Sequence, residues 1–154
     1  MARTLRNREG VVIMSSPATA LATRSENSPT NRGIALIADD EPVVLHLGKL
    51  MFKQLGFTAL TAQDGRQAVD LFALHHDSIR IVILDWTMPT MDGEESFAAI
   101  RALDPCVPII LCSGHCEEVV PEDVRYDRHT RFLSKPFSLR MLQQLVDDCA
   151  GAAL

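Results

Sequence analysis

Hydrophobic residues fall along this chain in two kinds of block. Short unbroken runs lie at about 34–38, 57–61, 80–84, 107–112 and 131–134. Between them, apolar residues recur every three or four positions. The first kind predicts strands and the second helices. Helix 1, about 42–55, places Val44, Leu47, Met51 and Leu55 on one core-facing stripe, with Pro42 in its first turn and Gly56 as its stop. Helix 2, about 65–75, follows Asp64 as N-cap, with Gln67 three residues on and Ala68, Leu71 and Phe72 inward. Helix 3 starts after Asp92, has Glu95 at the matching position, and turns Phe97, Ile100 and Leu103 to the core. Helix 4 is short, ended or kinked by Pro121. Helix 5, about 138–150, buries Leu139, Leu142, Leu145, Val146 and Cys149. The unbroken third strand suits a sheet covered on both faces. Five βα units in succession predict an α/β fold with a doubly wound parallel sheet and right-handed crossovers.

The chain has 154 residues, enough for one domain with a proper core, and its 47% hydrophobic content argues against wholesale disorder. Residues 15–32, rich in Ser, Thr, Pro and Asn, carry no period and read as a linker. The chain therefore divides into a flexible basic N-terminal extension, 1–32, and a folded domain, 33–154, opened by Gly33. The extension holds five arginines and two acids (+3) and the domain ten basic and eighteen acidic residues (−8), which together give the net −5. An acidic body without a basic helix gives no reason to expect nucleic-acid binding. No apolar stretch approaches the roughly 18 residues of a membrane span, so stable membrane insertion is not expected. The start loosely imitates a signal peptide, yet Val11-Val12-Ile13-Met14 falls short of the roughly 7–15 residues such a region needs. Cys112-x-x-x-Cys116 with His115 offers a metal reading, but reduced cysteines in a cytoplasmic protein are the simpler account of Cys106, Cys112, Cys116 and Cys149.

The strand ends carry the chemistry. Strand 1 runs into Asp39-Asp40, strand 3 into Asp85, strand 4 into Ser113 and strand 5 into Ser134-Lys135-Pro136. In an open parallel sheet, ligands bind at the carboxyl ends of the strands. If strands 1 and 3 are neighbours, three carboxylates converge, and two such charges about 4 Å apart repel by roughly 4 kcal/mol at an effective dielectric of 20. A raised pKa or a cation must relieve that, and carboxylates with open positions suit Mg²⁺. Helix capping accounts for Asp40 but not for Asp85, whose helix starts only after Asp92. Lys135 reads as an ion-pair partner or as a point charge for a phosphoryl oxygen. Ser113 reads as a helix N-cap or as a hydroxyl donor to the same group.

Taken together, these residues resemble the receiver domain of two-component signalling, in particular receivers attached to hybrid sensor kinases. Asp39-Asp40-Glu41-Pro42 is similar to that family's acidic pair, and Asp85-Trp86-Thr87-Met88-Pro89 to its phosphoacceptor segment, followed by the turn Met91-Asp92-Gly93. Ser113-Gly114 is similar to its switch hydroxyl and Lys135-Pro136-Phe137 to its lysine. The gaps fit as well: 45 residues from Asp40 to Asp85, 28 to Ser113 and 22 to Lys135.

The resemblance implies a flavodoxin-like sheet in strand order 2-1-3-4-5. It also implies a protein that is no enzyme beyond its own phosphorylation and dephosphorylation. Asp85 would take a phosphoryl group from a histidine kinase or histidine phosphotransfer protein. Asp40, Asp85 and the carbonyl of Thr87 would hold Mg²⁺, with Asp39 helping through water. Lys135 and Ser113 would hold the phosphoryl oxygens. Ser113 and Phe132 would form the switch that changes the surface of helix 4, strand 5 and helix 5 for a downstream protein target, although Phe132 also suits a plain core aromatic. Thr87 and His115 would set the signal's lifetime. Only Gly151-Ala152-Ala153-Leu154 follow helix 5, so a single-domain cytoplasmic regulator in a phosphorelay is expected. Three rivals compete with this reading. A haloacid-dehalogenase-like phosphatase wants an acid where Thr87 stands. A flavodoxin-like FMN carrier wants a phosphate loop where Asp39-Asp40-Glu41-Pro42 stands. A degenerate receiver would lack part of the acid, hydroxyl and lysine set.

Overall fold

The computed structural model describes residues 31–114 and 120–151. Five strands, β1 (Ile34–Ala38), β2 (Thr58–Ala62), β3 (Ile79–Asp85), β4 (Ile109–Ser113) and β5 (Thr130–Ser134), form one parallel sheet in the order β2-β1-β3-β4-β5. The helices are α1 (Pro42–Gln54), α2 (Gly65–His75), α3 (Gly93–Leu103), α4 (Glu122–Arg125) and α5 (Leu139–Gly151). Successive strand residues point to opposite faces, so the sheet feeds two separate cores. Leu36, Val82, Leu84, Ile109 and Leu111 pack with Phe72, Phe97 and Ile100 of α2 and α3. Ala35, Ile37, Ile81, Ile83, Ile110 and Leu133 pack with Leu45, Phe52, Leu142 and Val146 of α1 and α5. The chain order reverses direction between β1 and β3, which sets the carboxyl ends of these two strands side by side.

The helices begin where their caps predict. Asp64 Oδ1 accepts the Gln67 N–H at 2.8 Å, although the Gln67 side chain reaches the Gln63 N–H, one residue short of a full box. Asp92 and Glu95 close the complete reciprocal box at the start of α3.

Four details differ from the sequence reading. The buried line of α1 is Leu45, Gly48 and Phe52, not the stripe through Leu47, which is 48% exposed. Apolar residues cover so much of α1 that periodicity offers two lines, and the sheet takes the one containing Gly48, where a Cβ would meet Ile37 at 3.2 Å. Leu103, expected in the core, is exposed at the last residue of α3. Pro121 neither ends nor kinks the described helix but stands at its N-cap, where a missing N–H costs nothing. Asn31 and Arg32, assigned to the extension, belong to the compact unit. The Arg32 N–H donates to the Gly56 carbonyl at 2.9 Å, and its guanidinium lies 4.9 Å from the centre of the Phe57 ring. The rest of the expected extension, residues 1–30, lies outside the described residues.

One side chain ties the α4–β5 connection to α3. Arg101 donates from Nε to Asp127 Oδ2 at 2.8 Å and from Nη2 to Asp127 Oδ1 and Thr130 Oγ1, both at 3.3 Å. Its Nη1 donates to the Val107 carbonyl at 2.7 Å. Burial alone pushes the Asp127 carboxyl up, but the hydrogen bonds from Arg101 and the His129 N–H outweigh it and hold Asp127 below the usual carboxylate range. A depressed carboxylate stabilises the fold above its unfolded pKa of roughly 4, and that contribution fades as pH falls through the folded value. Asp127→Asn is therefore expected to cost about 1–3 kcal/mol at pH 7, the worth of charged hydrogen bonds, and progressively less as pH falls through the depressed folded value. Urea midpoints at pH 7 and at successively lower pH check this.

Candidate functional site

Parallel register brings the strand ends together. Ala38 pairs with Leu84, so the next residues along, Asp39 and Asp85, stand side by side at the carboxyl rim. Asp85 pairs with Cys112, and Ser113 with Ser134, which carries Ser113 and Lys135 to the same rim. One oxygen from each of Asp39, Asp40 and Asp85 lies within 4.8 Å of the others. Asp39 and Asp85 are buried and Asp40 is exposed. The alternative part for Asp40, capping α1, is not taken up. The N-cap is Glu41, without a side-chain bond, and it is Asp39 Oδ1 that accepts the Glu41 N–H, at 2.9 Å.

Lys135 reaches into this cluster. Its Nζ donates to Asp39 Oδ2 at 2.6 Å and lies 3.3 Å from Asp85 Oδ2 and 3.8 Å from Glu41. Its backbone N–H donates to the Ser113 carbonyl at 3.0 Å, which fixes where the side chain starts. The Lys135–Pro136 peptide is cis. Asp85 Oδ1 accepts the Thr87 N–H at 3.3 Å, with Thr87 itself exposed in the loop after β3.

The charges do not balance. Burial pushes the Asp85 carboxyl above its ordinary value. Asp39 adds to this, while Lys135 and the Thr87 N–H only partly oppose it. Burial works against the Lys135 ammonium too, but the Asp39 hydrogen bond and the two carboxylates raise its pKa overall, so it stays charged at neutral pH. Three carboxylates against one ammonium leave about two negative charges facing solvent through Asp40. A hard divalent cation with oxygen preference meets that deficit, so the donor set fits Mg²⁺.

The remaining expected residues fall nearby. Ser113 is half-buried at the end of β4, and Phe132, half-buried on β5, packs on the α2–α3 core and pairs with Leu111. His115 and Cys116 lie outside the described residues. Cys112, on β4, is buried in the core, and burial pushes its thiol up to about 12.

Two participants escaped the sequence reading. Glu41 adds a further acid at the edge of Lys135. Gly93 seats the start of α3 on the end of β3, where a Cβ would stand 2.5 Å from Trp86 Cα and 2.8 Å from the Asp85 carbonyl oxygen. A glycine at the first position after an N-cap was the available signal, but only contact geometry shows what it touches.

Residues 35–147 match the family described as response regulator receiver domain. The transcriptional regulatory protein GlrR of Escherichia coli is 32% identical over 115 residues, which cover 73% of this chain and 25% of that protein. The sensor kinase CckA of Brucella abortus is 29% identical over 135 residues, 86% of this chain and 14% of the kinase. The chain thus spans a quarter or less of these relatives. Among solved structures, a CheX–CheY–BeF3–Mg²⁺ complex from Borrelia burgdorferi superposes with a TM-score of 0.70 at 31% identity, covering 75% of this chain and 87% of that one. The response regulator TrrA from Thermotoga maritima, in complex with Mg²⁺ and beryllofluoride, superposes with a TM-score of 0.67 at 26% identity, covering 76% and 98%.

Proposed function

Because this chain belongs to the response regulator receiver domain family, we propose that Asp85 is its phosphoacceptor and that a histidine kinase or histidine phosphotransfer protein is the donor. The observation that carries the reading is Lys135 wedged between two buried acids at the rim where Asp39, Asp40 and Asp85 meet. An Asp85 oxygen attacks phosphorus, the phosphorus–nitrogen bond of the donor breaks, and its electron pair leaves with the imidazole nitrogen. Such a transfer needs position and charge neutralisation more than a protein acid or base. Asp39, Asp40, Asp85 and the Thr87 carbonyl would hold Mg²⁺, which when bound supplies positive charge to the phosphoryl oxygens. Lys135 and Ser113 take the oxygens that remain, and Thr87 with His115 governs how long the group persists. Ser113 and Phe132 then relay the change to the α4–β5–α5 surface for a downstream protein. Action in the cytoplasm, without nucleic-acid contact by this domain, suits its acidic body.

The test uses Mg²⁺ and phosphoramidate. The chain is expected to gain one phosphoryl group, about 80 Da by mass, labile to hydroxylamine. Steady phosphatase turnover or bound FMN in place of that adduct would overturn the proposal.

A protein donor must approach over the same rim. Beside it, Val44, Leu47, Met51, Pro136 and Phe137 line an apolar groove of about 410 Å³ that ends at Glu41 and Lys135. Leu47→Glu is expected to slow transfer from a phosphorylated protein donor about tenfold, the cost of one lost interface anchor, while leaving phosphoramidate labelling unchanged. Rates with the two donors, compared side by side, check it.

A further inference from the structure

The polar run Tyr126 to Thr130, which breaks the pattern of a long fourth helix, is held by a side chain that belongs to another element. The Arg101–Asp127 pair is mostly sequestered, with side chains 12% and 19% exposed, and Arg101 also stacks 5.1 Å from the centre of the Phe97 ring. It binds the residue that opens β5, Thr130, and the chain entering β4 at Val107. The other end of α3 is seated on the end of β3 at Gly93, whose N–H donates to the Trp86 carbonyl at 3.1 Å. Ser113 and Phe132 lie further along β4 and β5, six residues beyond Val107 and two beyond Thr130. Ser113 closes β4 and Thr130 opens β5, so the switch hydroxyl and the Arg101 anchor stand at the two ends of one connection.

Resting on the reading of Asp85 as phosphoacceptor, we infer that the Arg101–Asp127 pair is a latch that holds the α4–β5 connection in its unphosphorylated arrangement and opposes the switch at Ser113 and Phe132. A ligand shifts such an equilibrium only by its differential affinity for the two states, and its apparent affinity falls with the fraction already competent. Releasing the latch raises that fraction.

The test titrates beryllofluoride with Mg²⁺, a mimic of the phosphoryl group, into the full chain and follows the fluorescence of Trp86, the only tryptophan. Asp127→Asn and Arg101→Gln are each expected to bind it about three- to tenfold more tightly than wild type. Phe72→Leu weakens the fold in the buried core at a residue that makes none of the pair's hydrogen bonds and is expected to bind as wild type. If one latch variant fails to fold, the other decides. Unchanged or weaker binding in the folded latch variants, or equal tightening in Phe72→Leu, overturns the latch and leaves the phosphoacceptor reading standing. Absence of beryllofluoride binding in wild type overturns both.

Discussion

Asp85→Ala is expected to remain unlabelled under conditions that phosphorylate the wild type, a loss of at least about a thousandfold in rate. No neighbour can take over. Asp39 has one oxygen committed to the Glu41 N–H and the other to Lys135 at 2.6 Å, while Asp40 is exposed on the solvent side of the cluster. Intact-mass analysis reads the outcome, and labelling of Asp85→Ala at the wild-type rate would contradict the assignment. Asp85→Asn adds a second test with the opposite sign. Burial first, and then Asp39, raise the Asp85 pKa, so its ionised form weakens the fold. Stability from this group is complete below the unfolded pKa of roughly 4 and is lost as pH rises through the folded value. Without Mg²⁺, Asp85→Asn is therefore expected to melt a few degrees higher at pH 7, at about 2–4 °C per kcal/mol for a chain of this size, and to match wild type near pH 3. That outcome would fit the role proposed for Asp85, a residue kept for chemistry and not for stability.

Lys135→Ala is expected to slow phosphoramidate labelling about a hundredfold, the usual loss when one fixed donor to a developing charge is removed. The same variant is expected to bind Mg²⁺ several-fold more tightly. Its ammonium stands 2.6 Å from Asp39 and 3.3 Å from Asp85, so removing it deepens the negative potential that a divalent ion meets. Titration of Trp86 fluorescence with Mg²⁺ separates the two parts of the prediction. A lysine that served only as an ion pair would leave labelling no slower than its loss of stability explains. Weaker Mg²⁺ binding in Lys135→Ala would place the ion elsewhere.

Much of this was legible before the structure because it depends on short-range patterns. The five apolar runs became the five strands within about two residues, and Asp64 and Asp92 capped the helices they precede. The convergence of Asp39 with Asp85 follows from β1 and β3 being neighbours, a condition the strand-end acids left open and the family resemblance supplied. What was illegible depends on choices made only when elements pack. α1 offers two apolar lines, and contact with Ile37 selects the one through Gly48. Leu103 has helical spacing, but at the last residue of α3 it meets no opposing layer. Asp127 looked like loop polarity until Arg101, 26 residues earlier, reached it. Spacing along the sequence carries no record of such distant pairs.

Gly93 has a consequence for anyone redesigning this domain. It bears no charge, touches no phosphate and would pass as a dispensable hinge in a list of functional groups. Yet the smallest added methyl there would press on the main chain that carries Asp85, which cannot step aside as a side-chain tip could. In a saturation scan, position 93 should tolerate substitution as poorly as position 85. Its silent failures would be mistaken for chemical ones unless melting curves accompany the assay.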